Sequence, residues 1–183
     1  RSNQPFFFDD YVIIFNGEIY NYLEIRNKLK SKHFFKTESD TEVLLKAYIE
    51  YGENCVNHFI GMWSFVIFDY KKKIFFISRD IFGEKPFYFS NFKNSFIFGS
   101  EIKYLQSLNN NLRILNDRKI KSFLFNGYKS LHKDNESYFK NIKSLEPGTN
   151  LILDFNLNLK KKKYYYPQIK VDNRIKYKDA TEN

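Results

Sequence analysis

The run Phe15-Asn16-Gly17-Glu18 sets a carboxamide, a residue without a Cβ and a carboxylate at consecutive positions. The aromatic and β-branched residues from Tyr11 to Phe15 predict a buried strand, Asn16-Gly17 predicts the turn that ends it, and a helix is expected next. In such a turn the Asn16 side-chain amide and the Gly17 main-chain N–H are two donors aimed at one point. That is the requirement for holding the oxyanion of a tetrahedral acyl-transfer intermediate. Without a Cβ, Gly17 also allows a second backbone or a ligand to come close. Taken alone, the same residues read first as an ordinary strand-to-helix turn. Ser39-Asp40-Thr41-Glu42 is the second group of interest: by itself it reads as a helix cap, with its acids complementing the helix dipole.

The side chains that commonly carry nucleophilic or metal chemistry are sparse. Cys55 is the one cysteine in the sequence. It lies in a stretch that should pack and has no basic residue beside it, so a buried structural thiol is expected rather than a reactive one. His33, His58 and His132 are far apart and share no ligand spacing with it, so no metal site is expected.

Apolar residues recur at three- and four-residue intervals from Asn21 to Lys32, predicting an amphipathic helix with Asn21 as its cap. A second helix is expected after Ser39, with Val43, Leu44, Ala47, Tyr48 and Tyr51 as its buried stripe and Gly52 as its stop. Four strand-like runs follow, Met62 to Tyr70, Lys73 to Arg79, Pro86 to Ser90 and Ser95 to Phe98, and their short connectors predict an antiparallel meander. Met62, Trp63 and Phe65 are read as core, and Arg79 with Asp80 as an ion pair shaping the Gly83 loop. Helices over Glu101 to Leu108 and Asp117 to Phe125 come next, then strands at Asn150 to Phe155 and Lys162 to Tyr166. Helices on both sides of a meander indicate an α+β class with two sheet layers rather than a doubly wound parallel sheet.

The 183 residues are 43% hydrophobic and 20% aromatic, enough for one sizeable core, which excludes a disordered tail. The net charge of +9 raises the question of a nucleic-acid partner. Residues 1–105 hold 14 basic and 13 acidic side chains and residues 106–183 hold 16 and 8, so nearly all the excess lies in the last part of the chain. With 24 Lys and 6 Arg, the excess is poor in the planar guanidinium that reads phosphates and base edges, and it is read as solvated surface. The tract Lys160 to Lys163 fits an exposed sheet edge. Apolar runs are strand-sized, so no membrane partner is expected, and a single cysteine suits a reducing, cytoplasmic compartment.

Taken together, Asn16-Gly17-Glu18-Ile19-Tyr20-Asn21-Tyr22, Ser39-Asp40-Thr41-Glu42-Val43, Gly61-Met62-Trp63-Ser64-Phe65, Arg79-Asp80-Ile81-Phe82-Gly83-Glu84-Lys85-Pro86-Phe87-Tyr88 and Ser100-Glu101-Ile102-Lys103 resemble something specific. In order and spacing they are similar to the class II glutamine amidotransferase domain of glutamine-hydrolysing asparagine synthetases. The resemblance takes in Gln4-Pro5 and extends more loosely to Phe125-Asn126-Gly127-Tyr128 and Leu145-Glu146-Pro147-Gly148, which match the domain's closing hairpin region.

The resemblance implies a four-layer αββα sandwich of two antiparallel sheets, of the N-terminal nucleophile type and incomplete at its N-terminus. The domain would span residues 1–170, with 171–183 a linker toward a synthetase domain. A cysteine thiolate would hydrolyse glutamine to glutamate. Asn16 and Gly17 would form the oxyanion hole, and Glu18 and Asp40 would hold the α-amino group. The nucleophile cysteine and a carboxylate-binding arginine are expected upstream of Gln4-Pro5, outside this sequence, which would leave the segment inactive by itself. The ammonia would pass to a carboxylate, such as aspartate, activated with ATP and Mg in the synthetase domain; no cofactor is expected in this domain. Glutamine and the synthetase domain are the implied partners, a homodimer is left open, and no nucleic acid is expected. The rival reading is a noncatalytic binding or scaffolding domain with the same fold.

Overall fold

In the computed structural model, which describes residues 3–130 and 134–168, the side-chain alternation of two long strands separates two cores. β2 (Tyr11–Ile19) and β3 (Gly61–Asp69) pair antiparallel along their whole length. β1 (Phe6–Phe8) flanks β2, while β4 (Ile74–Arg79), β8 (Thr149–Asp154) and β9 (Leu159–Lys163) extend the sheet beyond β3. On one face Ile13, Phe15 and Ile19, with Trp63, Phe65, Ile67 and Phe76, bury against α1 (Tyr22–Leu29) and α2 (Asp40–Tyr51). On the other, Val66, Ile77 and Leu151 meet Phe87 and Leu145. These belong with the second, three-stranded antiparallel sheet of β5 (Tyr88–Asn91), β6 (Phe96–Gly99) and β7 (Lys143–Ser144), ordered β6-β5-β7. α3 (Ile102–Leu108) closes that sheet's outer face through Leu105, packed with Leu112 and Ile142. The layers run helices, sheet, sheet, helix, the αββα arrangement expected. α4 (Asp117–Asn126) follows α3.

Several local expectations are corrected. Asn16-Gly17 is not a turn: β2 continues through it to Ile19. Asn21 does not cap α1 through its side chain; it accepts from the Ile60 N–H at 2.9 Å and donates to the His58 carbonyl at 2.9 Å, tying the entrance of α1 to the start of β3. The four-strand meander is two hairpins in two sheets, because the chain between Arg79 and Tyr88 crosses from one sheet to the other. Phe125 to Tyr128 closes α4 and the 3-10 turn after it rather than a hairpin. The last strand lies at Leu159–Lys163, three residues early, because Tyr164 turns inward to stack on Trp63 and donate to the Arg79 carbonyl. The lysine tract does occupy an edge strand of the six-stranded sheet. The expected linker at 171–183 lies outside the described residues. Among the described residues, no helix is long and apolar enough to cross a membrane.

Arg79 and Asp80 do not form the expected ion pair with each other; they divide the crossover loop between them. The Arg79 guanidinium donates to the carbonyls of Gly83, Lys85 and Leu145 and to the Ser144 hydroxyl. The buried Asp80 carboxylate accepts from the amides of Trp63, Phe82, Glu84 and Lys85 at 2.9 to 3.2 Å. One side chain gathers acceptors and the other gathers donors, so the loop's polar backbone is satisfied as it leaves the sheet. Asp80→Ala strands four amides and should destabilise the domain by about 3 kcal/mol in urea denaturation, with a loss under about 1 kcal/mol contradicting this role.

Burial raises the Tyr48 and Tyr164 hydroxyls and the Cys55 thiol above their ordinary values, with Asp69 adding to the rise at Tyr48 and Asp80 to that at Tyr164. The folded state then keeps protons that the unfolded chain releases. The stability these groups contribute is therefore complete below about pH 8 and falls as the pH passes the ordinary thiol and phenol values. The urea midpoint should be lower at about pH 10 than at about pH 7.5, and equal midpoints would count against this.

Candidate functional site

The pairing of β2 with β3 decides which way each amide of β2 points. Tyr70 donates to the Asp10 carbonyl and Tyr20 to the Ile60 carbonyl, so the even-numbered residues of β2 direct their N–H and C=O groups toward β3. The odd-numbered residues direct theirs to the opposite edge. β1 covers that edge only as far as Ile13. Beyond it, the Phe15 N–H donates to the Gln4 side-chain oxygen at 2.7 Å and the Ile19 N–H to Asp40 Oδ2 at 3.1 Å. Gly17 lies between them. Its cross-strand neighbour Trp63 uses its own N–H and C=O toward Asp80, so the Gly17 amide faces the open edge with no partner among the described residues.

Gly17 is held there by a close approach of strands. A Cβ at Gly17 would sit 2.2 Å from the Met62 carbonyl oxygen, and one at Gly61 would sit 2.1 Å from the Glu18 carbonyl oxygen. Both glycines have positive φ, +156° and +155°. No residue with a side chain fits either position without moving backbone.

Asn16 lies on the face of β2 toward the second sheet, exposed, with its Nδ2 at 3.4 Å from Ser100 Oγ. This long hydrogen bond is readily exchanged for a ligand's. Asn16 and Ser100 line a cavity of about 260 Å³ with Gln4, Ser64, Phe87 and Phe98. A cavity of about 650 Å³ between β7 and β9 touches none of these groups. Glu18 is exposed, with no hydrogen bond or ion pair to another described residue.

Asp40 is the first residue of α2, behind Ser39, whose hydroxyl accepts from the Thr41 amide at 3.1 Å. Glu42 does not close a capping box back to Ser39. It is fully buried and accepts from the Lys36 and Thr37 amides and the Thr37 hydroxyl at 2.6 to 2.9 Å, fixing the loop that delivers Asp40 to β2. The structure therefore brings Asn16, Gly17, Glu18 and Asp40 to the same end of β2. Gln4, Ser39, Glu42 and Ser100 support them. The Gln4-Pro5 and Ser100 blocks signalled Gln4 and Ser100 without assigning them roles, and the spacing of Ser39 and Glu42 signalled a cap while concealing the burial of Glu42.

The sequence model of the family described as "Glutamine amidotransferase domain" matches residues 1–166. The chain belongs to the glutamine amidotransferase domain family. It is 40% identical over 159 residues to "Putative asparagine synthetase [glutamine-hydrolyzing] 2" of Methanocaldococcus jannaschii, covering 86% of this chain and 30% of that protein. It is also 40% identical over 170 residues to "Asparagine synthetase [glutamine-hydrolyzing] 2" of Bacillus subtilis, covering 91% and 23%. The chain thus spans less than a third of the length of these relatives. Among solved structures, the glutamine phosphoribosylpyrophosphate amidotransferase of B. subtilis superposes with a TM-score of 0.63 at 18% identity, over 91% of this chain and 32% of that one. At that identity the likeness is one of fold.

Cys55 is not part of the site. It is fully buried in the 3-10 segment Gly52–His58 that follows α2, and burial pushes its thiol up from the ordinary range. Among the described residues no group of three or more His, Cys, Asp or Glu side chains is placed to hold a metal ion. A thiol reagent such as Ellman's should leave Cys55 unmodified in the native domain and label it fully in denaturant. Labelling of the native protein within minutes would contradict its burial.

Proposed function

We propose that this domain, spanning residues 1–170, hydrolyses glutamine to glutamate and supplies ammonia to a synthetase domain of the same longer protein. There a carboxylate such as aspartate, activated with ATP and Mg, accepts it. The observation that carries the reading is the Gly17 amide, presented on the open edge of β2 beside the Asn16 carboxamide.

In the proposed reaction a cysteine thiolate from outside the described residues adds to the side-chain carbonyl of glutamine. The carbonyl oxygen becomes an oxyanion, which accepts hydrogen bonds from Gly17 N–H and Asn16 Nδ2. Asn16 gives up its long contact with Ser100 at little cost. Collapse of the intermediate expels ammonia, protonated as it leaves, and water then releases glutamate from the thioester. The α-ammonium of glutamine meets Glu18 and Asp40. Asp40 is pre-oriented through the Ile19 amide, so its carboxylate need not be ordered when substrate binds. The chemistry requires no cofactor within this domain.

The test uses the protein that joins this segment to the sequence encoded upstream of Arg1 and downstream of Asn183. Asn16→Ala should lower kcat for glutamine-dependent ammonia release by about 10² to 10³, leaving ammonia-dependent synthesis unchanged. Asp40→Asn should instead raise KM for glutamine by about tenfold or more. Unchanged glutaminase kinetics in both variants would contradict the assignment. Absence of ammonia release from the joined protein itself would favour a noncatalytic binding or scaffolding domain.

A further inference from the structure

At the opposite end of β2 from Asn16, a second cavity of about 460 Å³ opens between β1, the end of α1, α2 and the turn after β3. Lysines 32, 36, 46 and 71 line it, with Phe8 and Tyr11. Two of these cations are already neutralised at the rim, Lys32 by Glu50 and Lys71 by Asp10. Lys46 is not. The residue is 2% exposed, it forms no ion pair or hydrogen bond with a described residue, and its Nζ lies 3.0 Å from the centroid of the Phe8 ring.

The acid one turn before it on α2, Glu42, is occupied by three donors from residues 36 and 37. Asp9 faces the cavity without reaching ion-pair distance of Lys46. Lys36 has no carboxylate partner among the described residues and approaches the same Phe8 ring at 5.6 Å. A cation–π contact returns only part of the cost of burying an ammonium group. Burial accordingly lowers the Lys46 pKa, with Glu42 and Asp9 opposing the shift and Lys36 adding to it. An anion seated between the two ammonium groups would supply the missing counter-charge.

We propose that this cavity binds a phosphate-type oxyanion, free or as a phosphomonoester, with Lys46 and Lys36 as its charged donors. The cavity exceeds the volume of one oxyanion and has aromatic walls, so it has room for the organic part of an ester. The site shares no residue with the glutamine site, and its fate in the test is independent of the glutaminase reading.

The test is calorimetric titration of the 183-residue chain with inorganic phosphate and with phenyl phosphate, at ionic strength held constant with chloride. The expected result is saturable binding, weakened about tenfold in Lys46→Met and in Lys36→Gln and unchanged in Lys160→Gln on the far edge strand. Lys36 is exposed, so its variant reports on the site even where Lys46→Met alters folding. Binding of phenyl phosphate alone identifies an ester, and binding of both identifies the oxyanion as sufficient. No saturable binding of either, or binding equal in the wild type and both site variants, would overturn the proposal.

Discussion

The alternation of hydrogen bonds along one antiparallel pair governs which backbone donors this domain leaves open at the edge of its larger sheet. Because β2 and β3 stay in register from Tyr11 to Ile19, every second amide of β2 is committed to β3 and the intervening ones face the other edge. Where β1 ends, that edge would leave a row of unpaired amides. Gln4 takes the first, Asp40 takes the third, and Gly17 keeps the one between them. The register in turn depends on Gly17 and Gly61, where any Cβ would strike the facing strand's backbone. A donor site is thus made by the ordinary geometry of a sheet at the point where one strand runs past its neighbour, and it is rigid for the same reason the sheet is.

The surroundings are built to hold that edge still. Glu42 spends a buried carboxylate on the loop before α2, and the Ser39 cap then sets the first turn that carries Asp40 to Ile19. Asn21 fastens the segment after β2 to the segment before β3. On the other side of β3, Asp80 fixes Trp63 and the crossover into the second sheet, the sheet that carries Ser100 to Asn16. Polar side chains bound to backbone, rather than ion pairs between side chains, do most of this positioning, and buried backbone demands such partners.

Much of this was legible in the sequence where local pattern and tertiary environment agree. The apolar stripe of α2, its Ser39 cap and its Gly52 stop are written within the helix itself, and they appear where the pattern put them. The antiparallel strands and the burial of Trp63 and Phe65 follow from apolar runs too long to be left in water. The failures occur where a distant partner reinterprets a local signal. Asn-Gly reads as a turn, yet here glycine is required by the strand opposite it. Asn21 reads as a cap, yet its side chain is drawn to residues 58 and 60. Adjacent Arg79 and Asp80 read as a pair, yet each is surrounded by loop backbone of the matching polarity. The site residues themselves were recognisable as blocks. Their convergence depends on a β2 edge whose direction no single segment encodes.

The proposed oxyanion site sets the Gly17 amide and the Asn16 carboxamide on one ligand-facing edge with Asp40 beside it. Titration of ¹⁵N-labelled protein with L-glutamine, followed by two-dimensional amide NMR, tests this most directly. Saturable shifts are expected at the Gly17 amide, the Asn16 side-chain amide and the Ile19 amide that reports on Asp40, with the amides of β8 and β9 undisturbed. A titration in which glutamine moves other resonances and leaves Gly17 and Asn16 in place would contradict it.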